Sequence, residues 1–485
     1  MNYNGFDLAA AARQTMIDQG FHPDFPPEAL RQLQGLKAKA LPRAEGDIRD
    51  LRGLLWSSID NDTSRDLDQA EVAERVDGSI RVRVAIADVD TDVPARSPID
   101  QHAASETTSV YTGVRVFPML PEELSTGLTS LNENEDRLAI VTEFVVAADG
   151  SVGEGCVYRA LVRNRAQLAY NAVGAWLEGR AEAPKKVAAS NDLSAQLKLQ
   201  GEAAQLLAEE RHRMGALNLD RVEAEAVMDD GHVSGIEARR KNRATELIEN
   251  FMVAANGVMA RTLAGAGVSS IARVVKTPAR WERIVALAAQ YGEKLPAEPD
   301  SGALNRFLLS RRAADSDHYA DVSLAVVKLM GPGEYVLAKC GEKNPGHFAL
   351  AASDYTHSTA PNRRYADTVT QRLIKALIAK QAAPYSDGDL DEIARNCTAK
   401  ENAARKVERT MHKRIAAVAL RSRIGETFTG MVTGVTPKGT FVRVADPPAE
   451  GILIQPHGVD VGDKLRVKLI STDPRRGYLD FARAG

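Results

Sequence analysis

The spacing of apolar side chains divides the chain into stretches of different period. Helical patterns occupy residues 8–19 and 27–38, where apolar positions recur every three to four residues. Between them lies Gly20-Phe21-His22-Pro23-Asp24-Phe25-Pro26, a turn-forming string that interrupts any helix. From 55 to 163 strand patterns dominate and the period shortens to two. Ile80-Arg81-Val82-Arg83-Val84-Ala85-Ile86-Ala87 alternates apolar with small or charged residues, as a half-buried strand does, and delivers Asp88 at its end. Helical periodicity returns over 197–216, 239–264, 278–292 and 388–423, while the Ala, Pro and Lys of 182–191 predict a surface loop. From 425 to 483, short alternating runs separated by Gly-containing turns predict a small antiparallel barrel.

These patterns predict an α+β protein of three parts. A short helical module covers 1–50, one large mixed domain covers 55–420, and an all-β barrel covers 425–483. Two helices across a turn suit a helix-turn-helix. With 485 residues, 44% of them hydrophobic, the chain can bury a large core. No apolar run approaches the length of a membrane span, and Met1-Asn2-Tyr3-Asn4-Gly5-Phe6-Asp7 lacks a basic-then-apolar secretory signature. Three scattered cysteines, Cys156, Cys340 and Cys397, offer neither a disulfide framework nor a zinc cage, so the expected setting is reducing cytoplasm; a monomer is expected. The net charge of −3 is unevenly placed. Residues 401–485 hold fifteen Lys and Arg against nine Asp and Glu, a net of +6, which leaves −9 for the rest. A basic end on an acidic body suits a tail that gathers a polyanion and a body that holds a cation.

The candidate chemistry sits in residues 57–69, where Asp60, Asp62, Asp66 and Asp68 crowd into nine residues just before a strand pattern. Carboxylates that close repel one another unless a cation sits among them. All-oxygen ligands favour Mg²⁺, Mn²⁺ or Ca²⁺ over zinc. Three readings follow: a solvated acidic turn, a calcium loop, and a catalytic metal site. Asp60, Asp62, Ser64, Asp68 and Glu71 fall at EF-hand positions 1, 3, 5, 9 and 12. Against that reading, Arg65 stands where the sharp turn needs Gly, and a strand pattern follows where the exiting helix belongs.

A longer series of motifs bears on the choice. Asp60-(x)5-Asp66-x-Asp68, Val84-Ala85-Ile86-Ala87-Asp88-Val89, Thr108-Ser109-Val110-Tyr111 and Phe117-Pro118-Met119-Leu120-Pro121 are followed by Glu246-Leu247-Ile248-Glu249-Asn250-Phe251, His347-Phe348 and Tyr355-Thr356-His357-Ser358-Thr359-Ala360-Pro361-Asn362-Arg363-Arg364-Tyr365. In this order they resemble the ribonuclease II and ribonuclease R family of RNB-domain exoribonucleases. The resemblance covers about residues 55–480. It implies processive, metal-assisted 3′→5′ hydrolysis of single-stranded RNA, including RNA with structured regions, to nucleoside 5′-monophosphates. It further implies that Asp60, Asp66, Asp68 and Gln69 hold Mg²⁺, or Mn²⁺ in its place, and that Asp68 and Arg363 are catalytic. Tyr111 would stack on the 3′-terminal nucleotides, with Glu249, Arg363, Arg364 and Glu408 also contacting RNA. The last segment looks like the OB fold of ribosomal protein S1, with Phe441 as a stacking aromatic and Lys438, Arg443, Lys464, Arg466 and Lys468 on the backbone.

The chain departs from that family in three ways. Residues 1–50 are too short for the family's two cold-shock barrels. Gln69 stands where a fourth aspartate is usual, so either Asp62 or Asp88 compensates, or the metal is held more weakly, or the protein is inactive. No aromatic occurs in Val222-Glu223-Ala224-Glu225-Ala226, where a partner for Tyr111 is expected. The alternative function is therefore a catalytically inactive RNA-binding protein on the same fold.

Overall fold

The computed structural model describes residues 2–3, 6–36, 46–220, 223–229, 232–315, 319–437, 439–456 and 458–484. Lys438, and residues 37 and 38 of the second expected helix, lie outside them. Helix α1 (Leu8–Asp18) starts at Asp7, whose side chain accepts from the backbone N–H groups of Ala9 and Ala10. Helix α2 (Pro27–Leu36) follows. The pair was expected as a helix-turn-helix, but the two helices pack on different partners. Leu8, Ala12 and Met16 of α1 enter one core, and Ala29, Leu33 and Leu36 of α2 enter another.

The large domain is built on strands β1 (Ile48–Asp50), β2 (Trp56–Asp60), β3 (Gln69–Val76), β4 (Ser79–Ala87), β5 (Asp136–Val146) and β6 (Cys156–Ala169). They lie in the order β1-β6-β2-β3-β4-β5, and β6 pairs with β5 as well. The double pairing is possible because β6 is long. Its first half runs antiparallel to β5, its second half parallel to β2, with an irregularity between Asn164 and Ala166. The alternation read in the sequence is what separates the two faces: Val82, Val84 and Ile86 enter one core, Ala85 and Ala87 the other.

Helices complete both cores. Helix α3 (Pro98–Glu106) interrupts the strand-rich region; Ser97 caps it and Pro98 begins it, a start signal that alternation elsewhere in 55–163 obscured. Helix α4 (Tyr170–Leu177) follows β6 directly. Helices α5 (Asn191–Arg213) and α6 (Arg243–Gly265) cover the Val82 face. The 182–191 stretch, expected as loop, contains one helical turn, Lys185–Ala188, anchored by buried Val187. Helix α7 (Tyr365–Ile378) fills the opposite core.

The last helix, α8 (Asp387–Ala419), is 33 residues long and opens with a capping box between Ser386 and Asp389. Beyond it, β7 (Thr427–Thr436), β8 (Gly439–Ala445), β9 (Pro448–Ile454), β10 (Lys464–Asp473) and β11 (Tyr478–Arg483) form a closed barrel. Its interior, Phe428, Val442, Val444, Val467 and Phe481, belongs to one core with Met411 and Ile415 of α8 and Leu8 of α1. Among the described residues, no helix is long and apolar enough to cross a membrane.

Candidate active site

Asp60 ends β2 and Asp68 precedes β3, so the acidic loop is a strand-to-strand connection. That rules out the calcium-loop reading: Glu71, which would be its twelfth ligand, lies inside β3, and no helix follows. Backbone and side-chain bonds fix the loop from both sides. Ser130 Oγ donates to the Arg65 carbonyl at 2.8 Å and accepts from Leu67 N at 3.0 Å, while Ala87 N donates to the Asp68 carbonyl at 3.0 Å. Asp60 Oδ1 accepts from Asn61 N at 2.7 Å and from Ser64 Oγ at 2.8 Å.

Asp68 is the most confined of these groups. It is 3% exposed, and Oδ1 accepts from Asn362 N at 3.0 Å. Oδ2 lies 3.4 Å from Arg363 Nε and has no hydrogen-bond partner. Burial pushes the Asp68 carboxyl up to about 7 despite Arg363 and the Asn362 N–H, and it raises Asp60 as well. Asn362 and Arg363 belong to the segment just before α7. Ser109 N donates to the Arg363 carbonyl and Tyr365 N to the Thr107 carbonyl, which lays Tyr111 beside them. The Tyr111 hydroxyl donates to Asp66 Oδ2 at 3.3 Å, and the residue is 38% exposed. Tyr111 N approaches Glu408 Oε1 at 3.4 Å, bringing α8 into the site.

The other expected residues are placed differently. Gln69 is buried, and its Nε2 donates to the Ile59 carbonyl at 3.2 Å, immediately before Asp60. Asp88 is taken by Lys375 at 2.8 Å and by Thr91 Oγ1 at 2.9 Å, so it does not compensate for Gln69. Asp62 accepts from Asn171 Nδ2 at 3.2 Å. Arg364 makes a two-pronged pair with Asp367, at 2.7 and 2.9 Å, and thus serves a structural carboxylate. Glu249, on α6, pairs with Lys241. Near Glu408 on α8, Arg405 pairs with Glu401.

Among the described residues, no three or more His, Cys, Asp or Glu side chains are grouped to hold a metal ion. The oxygens present nonetheless fit a hard cation. Mg²⁺ retains waters and is commonly held by one or two carboxylates plus substrate phosphate. Asp68 Oδ2 is a buried oxygen without a partner of that kind.

The RNB domain profile matches residues 48–380, which spans the acidic loop, Tyr111 and Arg363. The chain belongs to the RNB-domain family. A second profile, the RNase II-type exonuclease C-terminal S1 domain, matches residues 426–484. Ribonuclease R 1 of Lactococcus lactis is 29% identical over 94% of this chain, and the chain spans 59% of that relative's length. Among solved structures, Mycoplasma genitalium RNase R in complex with ribose methylated single-stranded RNA aligns with a TM-score of 0.88 at 23% identity. That alignment covers 99% of this chain and 79% of the other. Yeast Ssd1, described as a pseudonuclease, aligns with a TM-score of 0.70 at 16% identity over 92% of this chain and 56% of its own.

In this RNB-domain protein the structure adds residues that sequence reading passed over. Tyr170, the first residue of α4, follows Ala169, which pairs with Asp60 across β6 and β2. Burial raises its hydroxyl, with the charges of Asp60 and Glu71 acting in the same direction. The Arg239 guanidinium stands 6.0 Å from the ring. An aromatic is thus present beside Asp60, though not in the 222–226 segment. Its signal was positional, a tyrosine at the junction of a strand and a helix. Asn362 acts through its backbone N–H, which no side-chain motif reveals.

The barrel carries its expected residues outward. Val442 and Val444 point into the core, so Phe441 and Arg443 take the opposite face of β8. On β10, Lys464, Arg466 and Lys468 are all exposed and lie across from Met431, Thr429 and Thr427 of β7. Phe441 is only part-buried.

Proposed function

We propose that this chain is a hydrolytic exoribonuclease that shortens single-stranded RNA processively from its 3′ end, releasing nucleoside 5′-monophosphates. The observation that carries the reading is Asp68: a buried carboxylate oriented by Asn362 N, its second oxygen unpartnered and turned to Arg363. Asp60, Asp66 and Asp68 would hold Mg²⁺ or Mn²⁺, which when bound polarises a phosphate and acidifies a water. Arg363 is about half-exposed, so its guanidinium remains available to a phosphate oxygen and to the negative charge that builds during phosphodiester cleavage. Tyr111 is partly exposed and its hydroxyl is steered by Asp66, which suits stacking on a terminal base. Glu408 stands near enough to accept from a ribose 2′-OH, the group by which RNA differs from DNA. The outer face of the barrel supplies Phe441 and four basic side chains for the upstream strand.

Gln69 favours a second reading, a catalytically inactive RNA-binding protein, because its amide brings no charge to the cation and is tied to Ile59. One experiment separates the two. Incubated with 5′-labelled poly(A) and Mg²⁺, an exoribonuclease yields short limit products and mononucleotide, and EDTA stops it. Unchanged label in Mg²⁺ and in Mn²⁺, with retained RNA binding, establishes the inactive reading.

A further inference from the structure

On the face of β3 turned toward α5, a second group of oxygen atoms lacks partners. We propose that Glu71, Ser57 and Gln200 form a buried site for a hard cation, separate from the cluster around Asp68. Glu71 is wholly buried, and neither carboxyl oxygen makes a hydrogen bond. Ser57 lies directly across from it in the β2–β3 pairing, equally buried, with its Oγ unpartnered. Gln200 reaches in from α5. Its Nε2 donates to the Glu71 carbonyl at 3.4 Å, and its Oε1 has no partner. Among the described residues, eleven buried side-chain nitrogen and oxygen atoms lack a hydrogen bond, and four of them belong to these three residues.

The surroundings make an uncompensated carboxylate costly. Val84 pairs with Glu71 on the neighbouring strand, and Ile59, Ala73, Leu197 and Ala204 belong to the same apolar core. Asp60, at the end of the neighbouring strand β2, adds negative charge. A group in such a place is satisfied by a proton and water or by a positive ion. The donor atoms present are a carboxylate, an amide oxygen and a hydroxyl, the set that Mg²⁺, Ca²⁺ and K⁺ share and that zinc and copper do not prefer. Gln69, on the same strand face two residues earlier, is neutral. The negative charge on that face is therefore placed at 71, inside the protein.

The test requires no RNA, so its outcome is independent of whether the chain is a nuclease. Nucleic-acid-free protein of residues 1–485 carrying Asp68→Asn, which weakens the front cluster, is dialysed against chelator. Its melting point and bound-ion content are then measured in separate series of Mg²⁺, Ca²⁺ and K⁺. In one of these series the melting point should rise with concentration as the ion content approaches one per chain. Adding Glu71→Gln should abolish both responses without lowering the melting point in chelator, because a neutral amide replaces a buried carboxyl. Ser57→Ala, which removes a single oxygen, should weaken the ion several-fold and carries the test if Glu71→Gln fails to fold. An equal ion response with and without Glu71, or none in all three series, overturns the proposal and assigns the pocket to water and a protonated carboxyl.

Discussion

Asp68→Asn keeps the shape of the side chain and an oxygen for Asn362 N, but it removes the charge facing Arg363. Hydrolysis of labelled poly(A) should fall by more than about a hundredfold, a loss in the range of other electrostatic groups in active sites, while filter-binding affinity for RNA stays close to wild type. Near wild-type turnover would show that the acidic loop is not the reactive centre. Tyr111→Ala should cost about 1 to 3 kcal/mol of base stacking, which matters little to a long strand and most to a remnant of a few nucleotides. The variant is therefore expected to degrade long RNA at almost the normal rate and stop at longer limit products. Identical final products on a sequencing gel would make Tyr111 a packing residue. At this scale the sequence was informative wherever a role depends on residue type, as with Asp60, Asp68 and Arg363. It was silent on Tyr170, whose relevance comes from pairing across two strands; for Arg364, expected to contact RNA, the pairing with Asp367 three residues away was unreadable without the turn that joins them.

Elements were legible in proportion to the contrast between their faces. Helix α8 spans Asp387–Ala419 against an expected 388–423, because a long helix with one wet side shows its period plainly. Helix α7 gave no such signal. Its residues from Tyr365 through Ile374 are all buried, polar Asp367, Thr370, Gln371 and Arg372 among them, so polarity does not mark an outer face. The short turn Phe348–Leu350 carries a prediction of its own. His347 Nδ1 accepts from Leu350 N at 3.2 Å, and burial, with Arg273 and Arg211 nearby, lowers its imidazole to about 4. In the unfolded chain the same ring titrates near 6.5. Between these values the unfolded form binds a proton that the folded form refuses, so this contribution is complete above about 6.5 and shrinks as pH falls toward 4. The loss is up to about 3 kcal/mol. Urea midpoints at pH 7 and pH 5 should fall further for wild type than for His347→Gln. An equal fall in both would remove His347 from the account.

For the molecule as a whole, the basic end foreseen from charge counting includes a stripe on one face of the barrel, Lys464, Arg466 and Lys468. Deleting the barrel would be a poor test of it, because its interior shares a core with α8 and α1, and cutting there bares apolar surface. Replacing all three residues by alanine leaves that core intact. If each neutralises one phosphate, the slope of log affinity against log salt for single-stranded RNA should flatten by about 2, and an unchanged slope would locate the phosphate contacts elsewhere. Sequence periodicity identified the barrel but not its attachment, since a shared core looks the same in a sequence as two separate ones. That attachment has a geometric consequence. Helix α8 meets Tyr111 at Glu408 and runs on to its end at Ala419 beside the barrel, a stretch of about 16 Å. A helix packed against the site and the barrel does not stretch, so under the proposed function it would act as a ruler: RNA long enough to reach from the barrel's outer face to Asp68 would be held at two points through each cut, and RNA too short at one. The changeover from sustained to interrupted degradation should therefore occur at a fixed strand length, the same for every sequence.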